Sequence, residues 1–404
     1  MPRLLRDEDS KLARAGILIL SPSPRNSLRS LSPAVTFVLL LSLATAFLAG
    51  ACKWLARKHV SEAERRELVN RCKEVIEAGG DLQVWVKAPA SLAPARADSP
   101  IEVLATSDAY PAVVSALQRE AEKDGLEWKS HEARGRDRRR TADIRLAWRG
   151  EGVCRWRLRE VGHLLRAAIV IDDLGQDLQA ARNLLALPYP LTFSVLPHLP
   201  HSVQTAEEAH RAGHEVMLHL PMEPEPGPHP SAGLGEIRTG MSREELRRVL
   251  QQDLDSVPRA AGVNNHMGSR ATLSTALMAA VMQALAEQHL YFVDSRTASG
   301  SVALEAARRQ GLPTFYRSVF LDDTETVPYT LGQLREFRRR VETQGVALAI
   351  GHPHPSTCAA LARFLPELTR DDIQLVPASK LVQLSEVARL WPPGHVEHHS
   401  GTPE

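Results

Sequence analysis

From Ala34 to Ala51 the chain reads AVTFVLLLSLATAFLAGA, with no charged position, Arg25 and Arg29 ahead of it, and Lys53, Arg57 and Lys58 behind it. A buried core helix would carry a polar face, so this pattern predicts an export or membrane-anchor segment over 34–52. Ala49, Gly50 and Ala51 directly before Cys52 resemble a lipoprotein cleavage site, although Leu48 lies one position too early. Uncleaved anchor, lipoprotein and ordinary signal peptide stay open in that order, and each places residues 60–404 on the envelope side of a membrane. Residues 1–33, which include SPSPRNSLRSLSP, read as a disordered leader.

After the anchor, Leu68, Cys72, Val75 and Ile76 recur at helical spacing, and Ser61 with Glu64 forms a capping-box pattern, predicting a helix over 61–78. Strands over 82–86 and 101–105, a helix over 109–123 and strands over 142–148 and 153–159 complete a small α+β domain at 60–160. The basic run RGRDRRR (134–140) reads as a solvated loop between elements.

From Ala167 short apolar runs alternate with amphipathic helical stretches. The runs are AAIVIDD, LTFSVLP, EVMLHLP, AAGVNNH, LYFVDSR, PTFYRSV, VALAIGHPHP and IQLVP. Helical periods fit between most of them, at 176–187, 202–212, 242–257, 274–288, 303–310 and 331–344. Strand and helix in alternation predict a parallel sheet, and about eight such units predict a distorted (β/α) barrel over 165–390, with 391–404 a disordered tail.

Active sites of such barrels lie at the C-terminal ends of the strands. Those ends carry Asp172 and Asp173, His219, Asn264, Asn265 and His266, Asp294 and Arg296, and His352 and His354. Two carboxylates at the tip of the apolar strand AAIVIDD repel one another unless a cation or a proton lies between them, so they read as one metal ligand and one base. Capping of the following helix is the competing role, and it needs one aspartate only. His219 ends its strand, and Glu223 follows four residues later; imidazole and carboxylate are both ligands for Zn2+ or a similar divalent ion. His266 is a further metal candidate. Asn264 and Asn265 read as substrate contacts or turn formers, and Gly268 as a point where a ligand comes close. Asp294 and Arg296 read as a structural ion pair or as catalytic groups, the arginine orienting a carboxylate or a substrate oxygen. His352, near neutral pKa and stiffened by Pro353, suits a general acid, and His354 a substrate contact. Asp322 and Asp323 in FLDD are a weaker pair.

Composition narrows the chemistry. Lys and Arg total 49 against 48 Asp and Glu, a net charge of +1 that leaves no electrostatic basis for nucleic-acid binding. The four cysteines include no C-x-x-C pair, so metal chemistry must use His and carboxylates. Outside the cytoplasm Cys72 and Cys154 pair as a disulfide or stay as two thiols. IVIDD lacks the D-x-D spacing of a phosphatase nucleophile strand, which ranks that reading last.

IVIDDLG, GHEVMLHLPMEP, GVNNHMGSR, YFVDSRT, FLDD and AIGHPHP, in this order over about 165–390, closely resemble the divergent polysaccharide deacetylase family, a branch of the NodB-type carbohydrate esterases. The resemblance implies a distorted (β/α) barrel in which an Asp and two His bind Zn2+ or another divalent metal. It implies Asp172 as base, Asp173 as metal-binding aspartate, His219 as first histidine ligand and His352 as acid. Typical members keep a second His four residues after the first, where this chain has Glu223; Glu223 or His266 is then left to complete the metal shell. The activity implied is removal of acetyl groups from an N- or O-acetylated polysaccharide such as peptidoglycan. A non-catalytic envelope protein binding metal or glycan on the same fold is the alternative.

Overall fold

The computed structural model describes residues 60–78, 83–87, 99–227 and 231–390. The leader, the apolar segment with Cys52 and the tail lie outside the described residues, and no described helix is long and apolar enough to cross a membrane. The chain divides into two compact units, Met1–Gly162 and His163–Glu404.

In the first unit, α1 (Glu62–Ala78) starts on the expected capping box: the Glu64 amide donates to Ser61 Oγ at 3.2 Å and the Ser61 amide to Glu64 Oε2 at 2.9 Å. Then follow β1 (Val84–Lys87), β2 (Pro100–Thr106), α2 (Tyr110–Lys123), β3 (Glu127–Arg134), β4 (Arg140–Trp148) and β5 (Glu151–Val161). The sheet order is β1-β2-β5-β4-β3, with β2 and β5 parallel and the other neighbours antiparallel. Leu68, Cys72 and Ile76 of α1 and Val113 and Leu117 of α2 pack with Trp156 in its core. β3 carries no apolar alternation because, as an edge strand, it is exposed along nearly its whole length. Cys72 and Cys154 are both buried free thiols, so of the two alternatives the core holds them as thiols without a bridge.

The second unit contains β6 (Leu165–Leu174), α3 (Leu178–Leu185), β7 (Thr192–Val195), α4 (Ser202–Arg211), β8 (Glu215–Met222), α5 (Arg243–Ser256) and β9 (Ala260–Met267). It continues with α6 (Thr275–Glu287), β10 (Tyr291–Asp294), α7 (Ala303–Arg309), β11 (Thr314–Tyr316), β12 (Val319–Phe320), α8 (Val327–Gln344), β13 (Val346–Gly351), α9 (Pro355–Arg370), β14 (Ile373–Leu375) and α10 (Ala378–Leu390). The nine strands form one curled, wholly parallel sheet of order β11-β10-β9-β8-β7-β6-β13-β12, with β14 beside the start of β6. The run PTFYRSV is therefore two strands, and β11 and β12 stand at opposite ends of the sheet. The half-barrel is bridged at that seam by Arg317 and Ser318, whose amides donate to Asp294 O at 2.9 Å and Leu348 O at 2.7 Å.

Alternation along the strands sorts their side chains into two layers. Ala167, Ile169, Ile171, Leu218, Leu220, Ala347 and Ala349 belong to the large core shared with α3 to α9. Ala168, Val170, Met217, Val293, Leu348 and Ile350 belong to a second cluster, which Leu381 and Val382 of α10 plug. Continuing the second set by twos toward the strand ends gives Asp172, His219, Ser295 and His352. The sequence thus places polar groups on the same face as the apolar plug, one layer further along.

Candidate metal centre and active cavity

That layer is the floor of a cavity of about 680 Å3, lined by Asp172, Asp173, His219, His266, Arg296 and His352 among others. In a regular strand Asp172 and Asp173 would point to opposite faces. Here the β6–β7 register shifts between Ile171 and Leu174, and Asp173 has a left-handed backbone with φ of 56°. The kink turns both carboxylates to the cavity. Neither caps α3, because Asp177 does so, its Oδ1 accepting from the amides of Gln179 at 2.8 Å and Ala180 at 3.1 Å.

Asp173 Oδ1 lies 3.1 Å from His219 Nε2 and 3.0 Å from His266 Nδ1, and those two nitrogens are 3.1 Å apart. The tautomer of His219 follows from its other side. Asn264 Nδ2 donates to Asp172 Oδ1 at 2.8 Å, so Asn264 Oδ1 faces the other way and accepts from Ser194 Oγ at 2.6 Å and from His219 Nδ1 at 2.8 Å. With its proton on Nδ1, neutral His219 has a lone pair on Nε2. Asp173 Oδ1 is shielded from solvent and has no aligned hydrogen-bond donor. The orphaned oxygen and the two imidazole nitrogens thus lie within 3.1 Å of one another, a donor set that suits a divalent cation.

The electrostatics agree. Burial pushes the Asp173 carboxyl up, but His219 and His266 outweigh it and hold the group well below the usual carboxylate range. Burial lowers His219, yet Asp172 and Asp173 more than compensate and raise it. In the cation-free chain a proton thus competes for the position a cation would take.

His352 closes the opposite side, its Nε2 3.7 Å from Asp173 Oδ2. Asp322, fully buried, binds His352 twice: Oδ1 lies 2.9 Å from Nδ1, and Oδ2 accepts the His352 amide at 2.6 Å. Thr357 Oγ1 donates to the same Oδ2 at 2.7 Å. Burial alone would lower the imidazolium pKa; the Asp322 hydrogen bond and the charges of Asp172 and Asp173 push it up to about 9. Nδ1 belongs to Asp322, leaving Nε2 as the atom that carries an exchangeable proton into the cavity.

The remaining sequence candidates fall elsewhere. Glu223 is not brought into the triangle: Oε2 accepts from the Thr239 amide at 2.7 Å and from Thr239 Oγ1 at 2.5 Å, and Oε1 pairs with Arg270 at 3.0 Å. Asn264, expected at substrate, is wholly buried and spends its amide on Asp172, Ser194 and His219. Asn265 borders the cavity but donates to Met267 O and Thr297 Oγ1 and accepts the Ser295 amide at 2.9 Å. Asp294, expected as a catalytic group, is buried and holds the loop after β10, accepting from the Arg296 amide at 2.8 Å and Ser301 Oγ at 2.9 Å. Arg296 lines the cavity with its guanidinium carbon 3.8 Å over the Tyr316 ring, making no ion pair with Asp294. His354 lies 3.5 Å from Glu325 and, with Asp322 and His352, forms a second three-residue group with metal-ligand spacing. Gly268 serves the backbone turn: it has φ of 85°, and a Cβ there would meet Met222 Cβ at 2.8 Å. Two residues escaped the sequence reading, Ser194, buried behind the cavity against Asn264, and Arg317 in the cavity wall. An arginine inside an otherwise apolar strand run was the available signal for the second.

The family model for divergent polysaccharide deacetylases matches residues 169–382. The chain belongs to that family. It is 38% identical over 231 residues to the uncharacterized protein YibQ of Escherichia coli strain K12, covering 56% of this chain and 70% of that one. An uncharacterized protein of Haemophilus influenzae strain Rd is 36% identical over 216 residues, with 54% and 76% covered. The crystal structure of the uncharacterized protein ATU2773 from Agrobacterium tumefaciens C58 superposes with a TM-score of 0.52 at 23% identity, covering 54% of this chain and 89% of that one, a likeness of fold. Polysaccharide deacetylases of this fold are generally metal-dependent, and the Asp173–His219–His266 triangle is a donor set of that kind.

Proposed function

We propose that this chain is a metal-dependent hydrolase that removes acetyl groups from an N- or O-acetylated cell-envelope polysaccharide, peptidoglycan being the leading case. The observation that carries the reading is the triangle of Asp173, His219 and His266 with a second carboxylate on one side and a proton-bearing imidazole on the other. A divalent cation on the triangle, with Zn2+ suited to two imidazoles and a carboxylate, supplies Lewis-acid polarisation of the acetyl carbonyl.

The side chains do the rest. Asp172 keeps Oδ1 on Asn264 and offers Oδ2, 3.7 Å from His219 Nε2, to take a proton from the attacking water. His352, oriented by Asp322, gives its Nε2 proton to the leaving nitrogen or oxygen. Asn264 positions base and ligand through a single amide. The apolar segment 34–51 and its basic flanks support a place outside the cytoplasm, held to the envelope by an anchor or a lipid.

The test is acetate release by the full chain from acetylated chitooligosaccharides and from peptidoglycan, with Zn2+ and after chelation, beside Asp172→Asn. Release that needs both the metal and Asp172 is the expected result. Stoichiometric metal with no turnover of any acyl substrate would favour a non-catalytic binding protein, and absence of bound metal would sink the site assignment.

A further inference from the structure

Arg296 and Arg317 line the cavity beside the triangle. Both are fixed in place. Arg296 sits in a left-handed turn, φ 52°, clamped by buried Asp294 through its amide, and its guanidinium lies 3.8 Å over the Tyr316 ring. A left-handed non-glycine residue is a strained arrangement that surrounding contacts must hold, and such residues cluster at functional sites. Arg317 occupies the seam between β11 and β12. It donates from Nε to Ser295 O at 2.6 Å and from Nη2 to Arg296 O at 2.9 Å, with its guanidinium carbon 4.9 Å over the Phe320 ring. These contacts take one edge of the guanidinium and leave Nη1.

Neither guanidinium has a carboxylate within ion-pair distance among the described residues. The third cavity arginine, Arg340, contrasts with them, since it is paired with Glu336 at 2.9 Å. Arg317 is half-buried, and burial lowers its pKa against the pull of Asp172, with Arg296 lowering it further. Two adjacent, pre-organised cations at the wall of a cavity, oriented by ring faces and backbone carbonyls, form an incomplete anion site.

We propose that Arg296 and Arg317 form a carboxylate-recognition subsite, so that the polysaccharide taken by this cavity bears a carboxylate on or next to its acetylated sugar. The inference rests on reading the cavity as a polysaccharide site. Uronic acids and lactyl-ether sugars are the two chemistries that place a carboxylate there. A planar guanidinium fork discriminates carboxylate from hydroxyl and from ester, which lacks the charge.

Calorimetric titration of the full chain tests this with O-acetylated oligogalacturonates and with N-acetylglucosamine–N-acetylmuramic acid oligomers, each as free acid and as methyl ester. The free acid of at least one series is expected to bind roughly tenfold or more tightly than its ester. The preference should weaken with salt and be lost in Arg296→Gln. Equal affinity for acid and ester in both series, or no binding of either, overturns the proposal. Arg317→Lys, which keeps the charge and loses the fork, should reduce the preference; should that variant fail to fold, exposed Arg296 carries the test. Acetate release from the same oligomers separates the two readings. Hydrolysis of acid and ester alike at one rate leaves the deacetylase reading and removes the subsite. Arginine-dependent binding of free acid without hydrolysis does the reverse.

Discussion

Asn264 donates to Asp172 at 2.8 Å from the same amide whose oxygen lies 2.8 Å from Nδ1 of His219. One buried side chain therefore orients the base of the proposed reaction and selects the tautomer of a candidate metal-site histidine. Asn264→Ala strands both partners in a dry layer. Thermal and urea unfolding should show a loss of about 1–3 kcal/mol per unsatisfied group, and metal titration an affinity about 10–100-fold weaker.

Glu223 and His266 were equal candidates in the sequence, and the structure separates them. Glu223→Gln alters a group bound to Thr239 and Arg270, so metal stoichiometry should stay at the parent value. His266→Ala removes a corner of the triangle and should abolish stoichiometric binding by the same elemental analysis. Metal retained by the histidine variant and lost by the glutamine variant would reverse the assignment.

Stability should depend on pH through His352. In chelator-treated protein its pKa is pushed up to about 9, above an unfolded value of about 6.5. A raised folded pKa contributes stability that is complete below about 6.5 and is lost as pH rises through about 9. Urea midpoints should therefore fall across that window in the parent and less steeply in Asp322→Asn, where only the charges of Asp172 and Asp173 still raise the group. An NMR titration should show the His352 pKa moving down in that variant, and down again in the parent when a cation fills the triangle.

Gly268 controls the exit of β9, two residues after His266. Gly268→Ala combines a left-handed backbone with a methyl group against Met222 and should destabilise the fold by about 1–3 kcal/mol. Because the same turn carries His266, metal affinity should fall alongside stability. Unchanged affinity in a destabilised variant would mean that the turn and the ligand are independent.

The periodic elements were legible. Strands β6 to β10 and β13, and most of the helices between them, follow from alternation between apolar runs and helical spacing, and the polar strand ends marked the cavity. Edges were not. β3 has no apolar face because, as an edge strand, only Trp128 reaches the core, and the run 313–319 looked continuous because composition carries no record of two strands parting to opposite sheet ends. Roles at the site were also hidden, since an Asn or Asp at a strand end looks the same whether it meets substrate or braces a neighbour. Asn264 and Asp294 are braces, a fact that depends on residues 45 to 92 positions away for the first and on a turn seven residues on for the second.

The pairing of β6 with β13 joins residues 166–171 to 346–351. Loops of that length close slowly, and contacts between such distant segments come late in folding. Asp172 and Asp173 leave the ribosome early with the strand that bears them, while His352 arrives only with the last quarter of the chain. Closing the sheet and completing the proposed acid–base pair are thus one structural event, because the strand that pairs with β6 is the one that ends in His352.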